Sequence, residues 1–129
     1  MDTNGDTRML LFKDLCSRLP YGVIVKYRSR EGEGDVQLGC GNIEYVSQLG
    51  NGWWKECKPY LRPMDDMTDD EKREYNTIAM HTIVTSKGFV HIEATDLIDW
   101  LNAHHFDYRA LIDRGLAIAV TEDNNPYKE

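Results

Sequence analysis

Thr95–Ala119, TDLIDWLNAHHFDYRALIDRGLAIA, is the stretch whose reading decides the fold. From Asp96 to His105 the apolar residues Leu97, Ile98, Trp100 and Leu101 recur at helical spacing, and Asp96, Asp99 and Asn102 fall on the other side. That pattern predicts a helix laid on a core, with Thr95 as its N-cap. Asp96 and Asp99 then sit near the positive end of the helix dipole, and His104 and His105 near the negative end. The tight corner His104-His105-Phe106 leads to Asp107, which is expected to cap a second helix from Tyr108 to Arg114, stopped by a left-handed Gly115. A helix of about two turns does not persist alone, so it must be docked. Leu116 to Val120 reads as a short buried strand.

Working outward toward the N-terminus, Asp6 or Thr7 is expected to cap a helix from about Arg8 to Leu19, ended by Pro20. Its predicted buried stripe is Leu11, Phe12, Leu15, Cys16 and Leu19, with Lys13, Asp14, Ser17 and Arg18 on the wet side. Four strand-like segments follow: Val23 to Tyr27, Val36 to Cys40, Ile43 to Gln48 and Trp53 to Lys58. The glycines of REGEGD and the Gly50-Asn51-Gly52 turn separate them, which predicts an antiparallel meander of about four strands curling toward a small barrel.

Lys58-Pro-Tyr-Leu-Arg-Pro-Met64 reads as a hinge, because two prolines should keep it out of a sheet interior. Thr68-Asp-Asp-Glu71 is a capping box opening a helix through about Met80. His81 to His91 is expected to be a hairpin or irregular loop, and residues 122–129 a solvated tail. The expected whole is one α+β domain over residues 1–129, with a helix plus meander in 1–60 and a mainly helical half in 61–121.

Charge narrows the function classes. The net charge is −7, and residues 61–129 hold seven basic against fourteen acidic side chains, so the deficit lies entirely there. A protein that grips phosphates needs the opposite balance, which disfavours direct DNA or RNA binding. No apolar run approaches the roughly 20 residues of a membrane span. The acids of MDTNGDTRML stand where a signal peptide needs basic residues, so the expected setting is the cytoplasm. Cys16, Cys40 and Cys57 are odd in number and form no CxxC pair, arguing against a disulfide framework or a zinc knuckle. Cys16 is expected to be a small core hydrophobe, and Cys40 and Cys57 structural or incidental.

Three blocks, LLFKDLCSRLPYGV (10–23), KPYLRPMDDMTDDEKREY (58–75) and IDWLNAHHFDYRALIDRGLAI (98–118), together resemble a family of short uncharacterised proteins encoded by phages and prophages of gut Bacteroidales. The likeness covers roughly half of the chain. It implies a source and a cytoplasmic setting in bacterial cells, and brings no activity, cofactor or catalytic residue with it.

Several constellations are candidates for function. His104, His105, Asp107 and Tyr108 form a polar corner, with Asp99, His81 and His91 as distant help, and His with carboxylate is a combination that metals use. Adjacent helical histidines point about 100° apart, however, and Asp107 has a capping role, so a hydrogen-bonded corner is the expected reading. The two predicted helices superficially resemble a helix-turn-helix, but Arg109 and Arg114 are offset by Asp113. Trp53, Trp54, Tyr60 and Arg62 have the composition of an interface hot spot, and alternation along a strand should bury one tryptophan and not the other. The acidic run Asp65, Asp66, Asp69, Asp70, Glu71 and Glu74 is ordinarily a solvated helix start, and could also imitate a phosphate backbone.

The expectation is therefore a non-catalytic accessory protein that binds a host or phage protein through Trp53, Trp54, Tyr60, Arg62, Asp69, Asp70 and Glu71. No metal or cofactor is expected. The rival readings are a small metal protein or enzyme built on His104, His105 and Asp107, and an acidic mimic that inhibits a nucleic-acid enzyme of the host.

Overall fold

Helix α1, Asn4–Arg18, covers a four-stranded sheet together with a short second helix. The structure, a computed structural model, describes residues 4–49, 53–85 and 90–127 and is an α+β fold. α1 starts earlier than its predicted caps and runs to the expected end, where Pro20 falls in a 3-10 turn over Leu19–Tyr21. Gly22 closes that turn at φ 71°, a left-handed conformation that glycine adopts without penalty, and its N–H reaches Leu19 O at 3.4 Å.

The buried face of α1 differs from the predicted stripe. Leu11 and Leu15 are buried, but so are Asp14 and Arg18, and Cys16 is exposed. At 100° per residue Asp14, Leu15 and Arg18 all lie within about 60° of Leu11, whereas Cys16 is turned about 140° away. The two charged residues fall on the core side and the thiol on the wet side.

β1 (Ile24–Ser29) and β2 (Gly32–Gln37) form a hairpin through the two-residue turn Arg30-Glu31. Ile43 to Gln48, expected to be a strand, is instead the short helix α2, Ile43–Ser47. Gly39 N donates to Asn42 Oδ1 at 2.8 Å, and Asn42 N and Ile43 N both donate to Gly39 O, so the chain is wound into a turn before it can extend. Val46 is fully buried and docks this single turn of helix on the core. The Gly50-Asn51-Gly52 turn lies outside the described residues.

β3, Trp54–Leu61, pairs antiparallel with β1 and parallel with β4, Ile118–Ala119, giving the order β2-β1-β3-β4. The sheet is open rather than a barrel, and its fourth strand is supplied by the C-terminal region. The first part of the supposed hinge, Lys58 to Leu61, is therefore central strand. Pro59 is buried opposite Val25, and β4 begins pairing only at Tyr60, the next residue. A proline is tolerated there because one flank of the strand has no partner at that position.

From β3 the chain crosses to β4 through α3 (Asp69–Thr85) and α4 (Val90–Ala103), which pack on each other. The capping box forms as predicted: Thr68 N donates to Glu71 Oε1 at 2.9 Å and Glu71 N to Thr68 Oγ1 at 3.1 Å. The expected hairpin or loop of 81–91 is largely helix, and Thr95 lies inside α4 rather than capping it. The remainder of that loop, 86–89, lies outside the described residues.

The stretch 108–114 is a series of turns, not a helix, because Ala110 takes a left-handed φ of 59° that interrupts the helical path. Asp107 still caps it: its two carboxylate oxygens accept the N–H groups of Leu111 and Ile112, both at 2.9 Å. Gly115 is left-handed as predicted, at φ 76°. Among the described residues no helix is long and apolar enough to cross a membrane. Cys57 is buried, and burial pushes its thiol up to about 12, far from the reactive range.

Candidate functional site

The predicted interaction residues fall at two ends of β3, Trp53 and Trp54 at one, and Tyr60 and Arg62 with Glu71 at the other. At the start of β3 the tryptophan pair divides as alternation requires: Trp54 is 4% exposed and Trp53 48%. Trp54 stacks on Tyr27 of β1, with ring centroids 5.0 Å apart, and meets Tyr45 of α2 at 5.2 Å. Its neighbour is thereby held on a rigid base facing water. Arg8 Nη1 donates to Leu49 O at 3.0 Å, which ties the early turns of α1 to the end of the α2 segment. Met9, 72% exposed, lies in those turns. Met9 was missed by the sequence reading, and its signal was an apolar side chain off the buried stripe.

Tyr60 lies at the other end of β3 and Arg62 just past it, about 23 and about 30 Å along the chain from Trp53 at roughly 3.3 Å per residue. Tyr60 is buried and its hydroxyl is 2.9 Å from Asp35 Oδ1. Arg62 is clamped: Nη1 and Nη2 contact the two Glu71 oxygens at 2.8 and 2.7 Å, and the guanidinium lies 4.2 Å over the Phe106 ring. The Arg62 guanidinium holds the Glu71 carboxyl down at about 2, and Glu71 is also occupied in the capping box. Much of the acidic run is similarly engaged. Asp66 faces Arg62, Asp70 pairs with Arg73, and Glu74 accepts the Trp100 indole N–H at 3.0 Å, while Asp65 and Asp69 stand exposed.

The histidine corner is hung on β3 by backbone bonds, Arg62 N to His105 O at 2.8 Å and Asp107 N to Arg62 O at 2.9 Å. The His104 ring lies tilted against Trp100 with centroids 4.2 Å apart, and its Nδ1 lies 2.9 Å from Trp100 O. His105 has a left-handed φ of 63° and stacks on Tyr127 at 3.8 Å. Burial, with the charges of Arg18, His104 and Arg62, pushes the His105 ring down to about 4, so it is neutral near pH 7. Asp107 is occupied with its backbone N–H groups, and Tyr108 donates to Asn102 Oδ1 at 2.8 Å. His104, Asp107 and Tyr108 thus have hydrogen-bond partners, whereas His105 is held by its stack on Tyr127 and its buried Nδ1 has no hydrogen bond among the described residues. Among the described residues no three His, Cys, Asp or Glu side chains are grouped closely enough to hold a metal ion. The side chains of His81 and His91 lie outside the described residues.

Of residues 122–129, expected to be a solvated tail, the described part, 122–127, docks through Tyr127. Its hydroxyl accepts from Ile24 N at 2.9 Å and donates to Tyr60 O at 2.8 Å. A turn in which Asn124 Oδ1 accepts from Thr121 N at 2.7 Å steers the chain into place. Tail and corner together line a cleft of about 490 Å³ that includes Arg62, His104, His105, Glu122 and Tyr127.

A second and larger groove, of about 620 Å³, opens between residues 63–65 and the 107–113 turns. Leu101 and Asp107 are its buried members, and Met64, Tyr75, Tyr108 and Ile112 are half-buried along it. Asp65 and Asp113 are exposed at its edge. The sequence named Asp65 and Tyr108 as candidates, but for the acidic run and the polar corner; nothing local announced that they share a groove.

No family model, curated protein or solved structure matches this chain.

Proposed function

We propose that this is a non-catalytic accessory protein that acts by binding another protein, in the cytoplasm of bacteria carrying the phage or prophage type whose proteins its sequence resembles. The observation that carries the reading is Trp53. A half-exposed indole next to a buried, doubly packed Trp54 loses little conformational freedom on binding, and tryptophan dominates interface hot spots. Met9, on α1, is a second large apolar side chain exposed to water. The metal or enzyme reading of His104, His105 and Asp107 has less support, since the His104 and Asp107 side chains are already hydrogen-bonded within the fold and no three metal-ligating side chains are grouped among the described residues.

The experiment is affinity capture from nuclease-treated host lysate with the wild-type chain and with Trp53→Ala, analysed by cross-linking and mass spectrometry. A partner retained in fixed proportion by the wild type and lost by the folded variant supports the reading. Equal retention by both, or no protein retained by the wild type, overturns it.

A further inference from the structure

We propose that the groove between residues 63–65 and the 107–113 turns docks a basic, partly apolar peptide segment of another protein chain. Its volume of about 620 Å³ lies within the roughly 300–1,000 Å³ of ligand clefts. Met64, Tyr75, Tyr108 and Ile112 give it an apolar lining, and no Lys, Arg or His is among its lining residues. Two exposed carboxylates, Asp65 and Asp113, stand at the edge, and neither makes an ion pair or side-chain hydrogen bond with a described residue. Arg109, one residue from the groove wall, is committed to Asp14 at 3.0 Å and does not neutralise them.

The lining selects the occupant. An anionic ligand is repelled by Asp65 and Asp113. A bare metal ion gains nothing from Met64, Tyr75 or Ile112, and exposed carboxylates alone hold a cation weakly in water. A Lys or Arg side chain uses both features, laying its methylene stem along the aromatic and aliphatic wall while its charged head reaches a rim carboxylate. An apolar neighbour on the same peptide would occupy the rest of the wall. Charge complementarity therefore assigns the partner's chemistry: cationic and apolar side chains close together on one segment.

This surface goes beyond the Trp53 reading and shares only its class, because Trp53 and Pro63 stand at opposite ends of β3. The two can fail separately.

The test is fluorescence anisotropy at physiological ionic strength with three labelled decapeptides: alternating lysine–leucine, lysine–glycine and glutamate–leucine. The lysine–leucine peptide is expected to bind at least about tenfold more tightly than either of the others. The double variant Asp65→Asn/Asp113→Asn should weaken it by about tenfold or more, whereas Asp96→Asn/Asp123→Asn, an equal change in net charge at exposed acids elsewhere, should change it less than about twofold. Trp53→Ala should leave it unchanged. Equal weakening by the two double variants, equal affinity for the lysine–glycine peptide, or no binding of the lysine–leucine peptide overturns the groove proposal. Partner capture lost in Trp53→Ala would then still stand on its own.

Discussion

Asp14 and Arg18, one turn apart on α1, are both fully withdrawn from water and joined by Nε–Oδ2 at 2.7 Å and Nη2–Oδ1 at 3.2 Å. Arg18 Nη2 also donates to Phe106 O at 2.8 Å, and Arg109 Nε lies 3.0 Å from Asp14 Oδ1. Both guanidinium groups lie over the Tyr108 ring, at 5.0 and 5.1 Å. Asn102 completes the junction by donating to Ser17 O at 3.3 Å. The first helix is thus fastened to the histidine corner by charge and hydrogen bonds across 88 residues of chain.

Removing Asp14 strands Arg18, a fully buried guanidinium with no other carboxylate beside it among the described residues, whereas removing Arg18 leaves Asp14 its contact with Arg109. Asp14→Leu is expected to lose about 3–5 kcal/mol in urea unfolding, and Asp14→Leu/Arg18→Met to lose less than that single variant. A double variant worse than Asp14→Leu would show that the pair is not the unit of stability.

The tryptophan pair separates packing from surface. Trp54→Ala removes a ring packed on Tyr27 and Tyr45 and should cost about 3–5 kcal/mol. Trp53→Ala deletes a half-exposed side chain and should shift stability by less than about 0.5 kcal/mol. Thermal unfolding of the two variants side by side checks the assignment, and equal losses would contradict it.

How much of this was legible in the sequence depends on whether the deciding contact is local. The capping box at Thr68 and Glu71, the stop at Pro20 and the left-handed Gly115 are set within a few residues, and each forms as read. The α+β class, the N-terminal helix and the short final strand follow from the same local patterns. Ile43 to Ser47 has β-branched and aromatic residues of strand type, but the Gly39–Asn42 turn and burial of Val46 make it helix. Pro59 misleads because tolerance of a proline depends on where a partner strand ends, and that partner lies some 60 residues further along. The buried charges of α1 were readable in part: at 100° per residue Asp14 and Arg18 share a side with Leu11 and Leu15, but charge suggested solvent. Tyr127 gave no local sign, because its partners are Ile24, Tyr60 and His105. For the candidate sites, composition found Trp53, while the groove depends on a turn brought beside the 63–65 segment and had no signal in spacing.

Burial of the His105 ring, which stacks on Tyr127, makes stability depend on pH below neutrality. Burial first, then the charges of Arg18, His104 and Arg62, pushes the ring down to about 4 from the ordinary 6.5. The unfolded chain takes up this proton as pH falls through 6.5, whereas the folded chain does not until about 4. The folded state's advantage is therefore complete above about pH 6.5 and is lost progressively toward pH 4, at no more than about 1.4 kcal/mol per pH unit. Glu71 contributes separately and lower, since its carboxyl is held at about 2 against an ordinary 4.5, and its stabilisation is lost only as pH falls below that ordinary value. His105→Asn isolates the ring: asparagine tolerates the left-handed φ of 63° and does not titrate. Between pH 7 and pH 5 the wild type should lose on the order of 1 kcal/mol more unfolding free energy than the variant, allowing for the ring's remaining exposure. Urea unfolding at the two pH values measures the difference. If His105→Asn loses as much as the wild type over that interval, the acid sensitivity belongs to another group and Tyr127 is not held by a titrating partner.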